Sequence, residues 1–294
     1  MDILEKYSYS PDQQEIDKTI QSISKNIDAV MCPTVLKKCF SMMDLTTLNT
    51  ADTAASVEKL VNKVNAFQEQ YAEYPLPASI CVYSNFASVV AGKRKDPELH
   101  ATVVSACFPT SQSFLDVKLL ECRMAVEAGA DEVDIVLSHS LFGAGDFEGA
   151  ANEIRAVRKT VDQAGAGRHI CLKVILETGI MKTAEDIARA SFLAMEAGAD
   201  FIKTSTGKVN VNATPFAAFV MCECIAAYYK ATGRKVGFKP AGGMTTANDA
   251  LFYYSIVSTV LGAEWLDKSL LRFGVSRMAN NLLSALEEKT VNYF

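Results

Sequence analysis

The segment EAGADEVDIVL, residues 127–137, is the clearest guide to the fold of this 294-residue chain. Its first five letters return at residues 196–200, where they lead into FIKT. Each copy follows a helix-like stretch and precedes a short β-type run, which indicates repeated βα units. The repeat therefore predicts that helices and strands alternate along the chain.

Short β-type runs lie on both sides of this repeat, with amphipathic stretches between them. Polar residues such as Thr183 and Thr246 precede two of these stretches, as helix caps do. The eight candidate strands lie near residues 42–45, 80–83, 102–107, 132–137, 171–176, 201–204, 236–239 and 264–266. Eight alternations of strand and helix predict a parallel sheet.

We expect this sheet to close into a (β/α)8 TIM barrel, which is an α/β fold. Two features favour a barrel over an open doubly wound sheet: the count of eight units, and the absence of a Gly-x-Gly-x-x-Gly turn after the first strand. No linker interrupts residues 41–294, so they are expected to form a single catalytic domain. Residues 1–40 are expected to form an N-terminal helical extension. Its helix start at Asp12 is followed by isoleucines at helical spacing, namely Ile16, Ile20, Ile23 and Ile27.

Composition narrows the class of protein. Hydrophobic residues make up 49% and charged residues 21%, as in ordinary globular domains. The net charge of −5 includes no basic block, so nucleic acid is not an expected partner. The N-terminus lacks a signal-peptide core and no run could span a membrane, so we expect a cytoplasmic protein without membrane attachment. Eight cysteines without a C-x-x-C pair, and three scattered histidines, predict no metal site.

Four charged residues stand inside apolar strand candidates: Asp134, Lys173, Lys203 and Lys239. Any one of them alone would be a surface residue at a strand end or part of a structural ion pair. Burial of a charge without a partner or a purpose is costly, and these four occupy different strands in one half of the predicted barrel. Because reactive groups of barrels gather at the carboxyl ends of the strands, the set indicates a reaction centre.

Paired lysines suit Schiff-base chemistry, which needs an uncharged amine. A free lysine has a pKa of about 10.4, so roughly one molecule in a thousand is reactive at neutral pH. The fold must therefore stabilise the neutral form by ~4 kcal/mol. A second ammonium about 6 Å away contributes ~2.8 kcal/mol at an effective dielectric of about 20, and desolvation can supply the rest.

Glycines near the last two predicted strands suggest a phosphate site. Gly242 and Gly243 follow the seventh strand, and Gly274, Val275 and Ser276 are expected to open a helix after the eighth. Backbone N–H groups in these two loops bind phosphate in many barrels. Each feature alone more often marks a turn or a helix cap, and only their joint placement indicates a ligand.

Five long segments, in this order, resemble the deoxyribose-phosphate aldolase family: MMDLTTLN (42–49), DEVDIV (131–136), LKVILETG (172–179), DFIKTSTGKVNVNATP (200–215) and VGFKPAGG (236–243). The resemblance runs from about residue 40 to about residue 285. It implies a class I aldolase that needs no metal or other cofactor. Such an enzyme reversibly cleaves 2-deoxy-D-ribose 5-phosphate to D-glyceraldehyde 3-phosphate and acetaldehyde.

The resemblance also implies residue roles. Lys203 would form the Schiff base, Lys239 would be the cation that lowers its pKa, Asp134 would relay protons through a water, and Lys173 would orient Asp134. The substrate would contact Asp44 and Thr46 at the sugar hydroxyls, Thr206 and Lys208 at its flanks, and Gly242, Gly243 and Ser276 at the phosphate.

The chain departs from the family pattern around the phosphate. An arginine expected after the glycine pair is replaced by Thr245, and an arginine appears instead at Arg277. We therefore predict that Arg277 supplies the missing positive charge, while an exposed arginine without this role stays open. A tyrosine that ends many family members is followed here by Phe294, and we expect a frayed terminus around Tyr293.

Two other functions stay open from the sequence. One is a different Schiff-base aldolase or a transaldolase that acts on a ketose phosphate, and the other is a barrel that binds a phosphosugar without catalysis. A homodimer is a further possibility, because related enzymes are often dimeric.

Overall fold

Eight parallel strands form the centre of the molecule in the computed structural model, which describes residues 2–294. The strands are β1 (Met43–Thr46), β2 (Ser79–Tyr83), β3 (His100–Val104), β4 (Glu132–Val136), β5 (Cys171–Ile175), β6 (Phe201–Lys203), β7 (Gly237–Lys239) and β8 (Phe273–Val275). Each strand from β1 to β6 pairs with the next in the chain, and β1 also pairs with β8. Isolated parallel bridges join β7 to β8, at Phe238 with Leu271 and at Ala241 with Gly274. The predicted (β/α)8 barrel is confirmed.

Helices surround this barrel. Over residues 2–294 they are α1 (Ile3–Lys6), α2 (Gln13–Lys25), α3 (Ile27–Val30), α4 (Pro33–Ser41), α5 (Ala54–Gln70), α6 (Ala87–Lys93), α7 (Leu115–Glu127), α8 (His139–Gly143), α9 (Phe147–Gly165), α10 (Ala184–Glu196), α11 (Pro215–Thr232), α12 (Ala247–Val260) and α13 (Met278–Glu287). Both predicted caps are confirmed, since the side chains of Thr183 and Thr246 accept backbone N–H groups at the starts of α10 and α12. None of the helices over residues 2–294 is long and apolar enough to cross a membrane.

Seven predicted strands are confirmed with small shifts at their ends, and the eighth is wrong. Residues 264–266 lie in a tight 3-10 turn at Ala263–Trp265, which follows Gly262 in the left-handed region at φ +85°. The indole of Trp265 is buried there and donates to the Val236 carbonyl at 2.9 Å. The true eighth strand, β8, begins nine residues after the predicted one, so Gly274 and Val275 belong to a strand instead of opening a helix.

The repeated EAGAD segment makes the same turn twice. It ends α7 before β4 and ends α10 before β6, and its glycines, Gly129 and Gly198, have φ of +101° and +105°. Its last residue, Asp131 or Asp200, is paired with an arginine of a neighbouring segment, Arg94 or Arg158. Glycine is required because a side chain strains a left-handed backbone.

The N-terminal helices pack on the outside of the barrel helices. Helix α2 lies against α11 and α12 and buries Ile16 and Ile23, while α1 lies against α10. The ring of Tyr7 stacks on Phe192 of α10 with centroids 4.4 Å apart. Helix α4 continues to Ser41 and leads directly into β1, so a domain boundary at residue 40 stays a prediction.

The C-terminal tail is packed, and the expectation of a frayed terminus is wrong. The Tyr293 hydroxyl donates to the Lys63 carbonyl at 2.8 Å, and the Lys63 ammonium donates back to the Tyr293 carbonyl at the same distance. The ring of Phe294 lies against Phe40 and Phe67. Aromatic packing and these hydrogen bonds hold the tail against α5, and the Tyr293 hydroxyl points at backbone there.

We expect Ile16→Ala to lower the free energy of unfolding by about 2–4 kcal/mol, because the side chain is 1% exposed between α2 and the barrel helices. Urea denaturation followed by circular dichroism measures the change. The matched control is Ile180→Ala, whose side chain is 51% exposed and whose loss should cost about 0.5 kcal/mol. Equal effects of the two substitutions would contradict the packing of the extension on the barrel.

Candidate active site

The strand pairing places the four predicted catalytic side chains side by side inside the barrel. Lys203 of β6 is the register partner of Lys239 of β7, and Asp134 of β4 is the partner of Lys173 of β5. All four side chains are buried. Because side chains alternate along a strand, these register positions turn toward one another in the barrel interior.

Asp134 is the group that all three lysines share. Its Oδ2 atom lies 2.8 Å from the Lys203 ammonium and 2.8 Å from the Lys239 ammonium, and its Oδ1 atom lies 3.1 Å from Lys173. Burial by itself raises the pKa of this carboxyl, but the three ammonium groups outweigh it and hold the pKa well below its usual range. Asp134 is therefore an anion in the resting cluster.

The pKa values of Lys203 and Lys239, the two lysines that share Asp134 Oδ2, shift in opposite directions. Burial lowers the pKa of Lys203, and the Lys239 ammonium lowers it further, although Asp134 opposes both. Burial also disfavours the charged form of Lys239, but Asp134 and Asp44 outweigh this and raise its pKa. An amine with a lowered pKa beside a stable cation is the arrangement that a lysine nucleophile requires.

A second set of charges lies next to this group, and sequence reasoning missed two of its members. Arg272, just before β8, donates to Asp44 at 2.6 Å and to Glu132 at 2.8 Å, and Glu132 also holds Lys173. Glu132 could have been found, because it stands two residues before Asp134 and so faces the same side of β4. Arg272 was missed because the eighth strand was predicted at residues 264–266, so Arg272 fell outside every predicted strand.

Asp44 takes part in this buried network. It forms an ion pair with Lys239 at 2.5 Å whose angles do not fit a hydrogen bond, and it accepts a hydrogen bond from Ser79 at 2.8 Å. Its side chain is fully buried and does not line the cavity beside the lysines. The predicted contact of Asp44 with sugar hydroxyls stays a prediction, and its observed side-chain contacts include Lys239, Arg272 and the Ser79 hydroxyl.

A cavity of about 500 Å³ opens beside Lys203 at the carboxyl ends of the strands. Apart from Asp44, every predicted substrate residue lines it: Thr46, Thr206, Lys208, Gly242, Gly243, Ser276 and Arg277. The structure thus brings the nucleophile candidate and the predicted binding residues into one space. Another cavity, of about 370 Å³, lies outside the barrel between α1, α9 and α10, far from the strand lysines.

The loop after β6 is held by a buried carboxylate that sequence reasoning also missed. The Thr206 hydroxyl donates to Glu177 at 2.5 Å and the Thr206 backbone N–H donates to the same carboxylate at 3.1 Å. The Lys208 backbone N–H in turn donates to the Thr206 hydroxyl, and the Lys208 ammonium donates to the Leu48 carbonyl at 2.7 Å. This chain of bonds fixes the positions of Thr206 and Lys208 at the cavity wall.

The predicted phosphate end of the cavity is built from backbone. Gly242 and Gly243 both have φ of +78°, and a side chain at Gly242 would collide with Asn212, so only glycine fits there. Ser276 and the exposed Arg277 lie across the cavity, just ahead of α13. Thr245, at the position of the missing arginine, does not line the cavity and donates its backbone N–H to Asp249 in α12.

Similarity searches agree with this architecture. Residues 39–263 match the model of the DeoC/LacD family aldolases. The chain is 38% identical to the deoxyribose-phosphate aldolase of Homo sapiens, over 88% of this chain and 81% of that protein. It is 37% identical to the deoxyribose-phosphate aldolase of Bos taurus, over the same shares of both chains.

Solved structures share the fold. The tetrameric deoxyribose phosphate aldolase from Aeropyrum pernix superposes with a TM-score of 0.68 at 23% identity, over 93% of this chain and 98% of that one. The barrel has register-paired lysines, and the family model matches most of the chain. Together with relatives at this identity, these findings show that the chain belongs to the DeoC/LacD family of aldolases.

Proposed function

We propose that this chain is a deoxyribose-phosphate aldolase of class I. It reversibly cleaves 2-deoxy-D-ribose 5-phosphate to D-glyceraldehyde 3-phosphate and acetaldehyde through a Schiff base on Lys203. The observation that carries the proposal is the shared carboxylate of Asp134, which lies 2.8 Å from both Lys203 and Lys239 beside the cavity. Its curated relatives at 37–38% identity carry the same activity in their names.

The first half of the reaction forms the covalent intermediate. The uncharged Lys203 amine attacks the C1 aldehyde carbon of the open-chain sugar, and the resulting carbinolamine loses water to give an iminium. Asp134 passes the protons that the nitrogen loses and the departing hydroxyl gains, through a water. Lys173 donates to the other oxygen of Asp134 and keeps the carboxylate in place for this transfer.

The second half breaks the carbon–carbon bond. The C3 hydroxyl gives its proton to the water held by Asp134, the C2–C3 electron pair moves into the iminium to form an enamine, and D-glyceraldehyde 3-phosphate leaves. The same relay returns a proton to C2 of the enamine, and addition of water to the resulting iminium releases acetaldehyde and returns Lys203 to its free amine. The iminium is the electron sink, so the reaction requires no electrons from outside the substrate.

The mouth of the cavity positions the substrate. Thr46, Thr206 and Lys208 are placed to contact the sugar, and the backbone of Gly242 and Gly243 with Ser276 is placed to hold the phosphate. A ketose-phosphate aldolase or a transaldolase would use the same nucleophile with a different donor. Synthesis assays that compare acetaldehyde with dihydroxyacetone phosphate as donors separate these functions, and we expect turnover with acetaldehyde.

We also propose that two copies of the chain associate through α7. Val117, Leu120 and Met124 form an exposed apolar stripe along this helix, flanked by Asp116 and Arg123. A second copy packed antiparallel about a twofold axis near Leu120 covers both stripes. It also brings Asp116 of each copy beside Arg123 of the other, which makes the surface self-complementary in charge.

Borohydride trapping tests the nucleophile. We expect acetaldehyde and borohydride to label the peptide that contains Lys203. We expect Lys203→Met to abolish the label and to reduce cleavage at least about 10³-fold, because Lys203 lines the cavity and burial lowers its pKa. Peptide mass mapping locates the adduct. Lys235→Met, a surface control, should keep both the Lys203 label and the cleavage activity. A label on Lys239, or an adduct in the Lys203→Met protein, would contradict the assignment.

Kinetics of an Arg277 variant test the phosphate site. Because Arg277 lines the cavity next to Ser276, at the predicted phosphate end, Arg277→Ser should raise KM for 2-deoxy-D-ribose 5-phosphate about tenfold with little change in kcat. Unphosphorylated 2-deoxy-D-ribose should be cleaved as before, and Arg277→Lys should recover most of the loss. An unchanged KM in Arg277→Ser would show that this arginine is only a surface residue.

Light scattering after size-exclusion chromatography tests the α7 interface. We expect the parent protein to have twice the chain mass of 31.9 kDa. Asp116→Arg should yield monomers, because it places like charges opposite Arg123, and the exchanged pair Asp116→Arg with Arg123→Asp should restore the dimer. A monomeric parent rules out the dimer, and a dimer that persists in Asp116→Arg places the interface elsewhere.

A further inference from the structure

Seven ionisable side chains form one connected network inside the barrel. Three are carboxylates, Asp44, Glu132 and Asp134, and four are bases, Lys173, Lys203, Lys239 and Arg272. All seven are buried, so solvent screens their charges poorly. The number of bases exceeds the number of carboxylates by one, and this has a consequence for the reacting lysine.

We infer that Arg272 and Glu132, neither of which lines the substrate cavity, are positioning residues that set the charge balance of the network and thereby leave Lys203 as its uncharged member. Three permanent cations, Lys173, Lys239 and Arg272, neutralise the three carboxylates. A fourth charge on Lys203 would leave a buried excess of positive charge, which is unfavourable. The inference rests on Lys203 as the proposed nucleophile.

The position of Arg272 explains how it acts at a distance. It donates to Asp44 at 2.6 Å and to Glu132 at 2.8 Å, and so neutralises carboxylates that would otherwise attract the lysines. Asp44 also faces Lys239, and Glu132 also faces Lys173, so each carboxylate links Arg272 to a lysine that contacts Asp134. Removal of Arg272 leaves three carboxylates to be balanced by lysines alone.

The pKa directions agree with this balance. Burial opposes ionisation of every member, but neighbouring charges outweigh it and lower the pKa of Asp44 and Glu132. The same competition raises the pKa of Lys173 and Arg272. Among the bases of the network, only Lys203 has a lowered pKa.

Other groups that face the network do not change the balance between its cations and its carboxylates. The thiols of Cys81 and Cys171 lie beside it, and burial raises the pKa of both, so they are uncharged. Thr102 and Ser79 contribute neutral hydroxyls. His100 contacts Glu132 at 2.6 Å from the edge of the network, where its imidazole is partly exposed.

Competitive acetylation measures the inference without the aldolase reaction. The protein is treated with acetic anhydride across a range of pH, and mass spectrometry follows the rate at which Lys203 is acetylated, which tracks the fraction of neutral amine. For Arg272→Met we expect the midpoint to rise by about one pH unit, so that about tenfold less Lys203 is neutral at a given pH below it. For Glu132→Gln we expect the midpoint to fall.

The double variant decides between charge balance and damage to the structure. Arg272→Met with Glu132→Gln leaves two carboxylates and two permanent cations, so its midpoint should return toward that of the parent. Arg155→Met, an exposed arginine of α9, is the control and should leave the midpoint unchanged. In cleavage assays, Arg272→Met should regain activity as the pH is raised, which misfolding would not produce.

Each outcome has a definite meaning. An unchanged or lowered midpoint in Arg272→Met, or a double variant that does not return toward the parent, overturns the charge balance. If Arg272→Met does not fold, the direction in which the acetylation midpoint of Glu132→Gln shifts decides the inference alone, and a midpoint that does not fall overturns it. Midpoints that move as expected in a protein that cleaves no deoxyribose phosphate would retain the charge balance and reject the proposed function.

Discussion

The contact between one buried carboxylate and three ammonium groups is the constraint around which the centre of this molecule is organised. Asp134 cannot stabilise the charged forms of Lys173, Lys203 and Lys239 equally. All three ammonium groups are removed from water, and one negative charge offsets only part of their combined positive charge. Lys239 gains a second carboxylate in Asp44, and Lys173 gains one in Glu132. Lys203 gains none, so it is the lysine left with a lowered pKa. The lowered pKa of Lys203 therefore follows from an unequal distribution of carboxylates among the three lysines.

The barrel makes this distribution possible, since parallel strands hold side chains at fixed register. Lys203 lies opposite Lys239 because β6 and β7 are paired at those residues. The contacts of Arg272 depend on β8, which is joined to β1 through a short ladder and to β7 through isolated bridges. The N-terminal helices support the same region from outside, because α2 packs on α11 and α12, the helices on either side of β7. The outer helices therefore pack on the part of the barrel that holds Lys239.

Much of this arrangement could be predicted from the sequence, and the failures have physical causes. Charged residues in apolar runs, such as Asp134 and Lys203, identified the inward positions of strands because burial of an isolated charge is unfavourable. Arg272 also stands in an apolar run, but the strand that follows it is only three residues long, and the sequence pattern predicted the eighth strand at residues 264–266 instead. The ion pairs of Asp44 could not be predicted from the sequence. The family resemblance implied a contact with the substrate, whereas the charged partners of a buried carboxylate depend on tertiary contacts. The packed tail at Phe294 likewise depends on a pocket formed by distant helices.

The burial of seven ionisable groups is itself an argument for chemistry. Buried ion pairs recover their desolvation penalty only with good geometry, and replacement of such a network by apolar side chains of similar volume is often neutral or stabilising. A barrel interior filled with branched aliphatic residues would be the simpler way to hold eight strands together. This chain instead keeps its charges beside a cavity of about 500 Å³, whose walls contain backbone N–H groups and hydroxyls suited to a phosphorylated sugar. Stability alone gives no reason for that combination, whereas an amine that must stay uncharged at neutral pH requires permanent cations nearby and carboxylates to balance them.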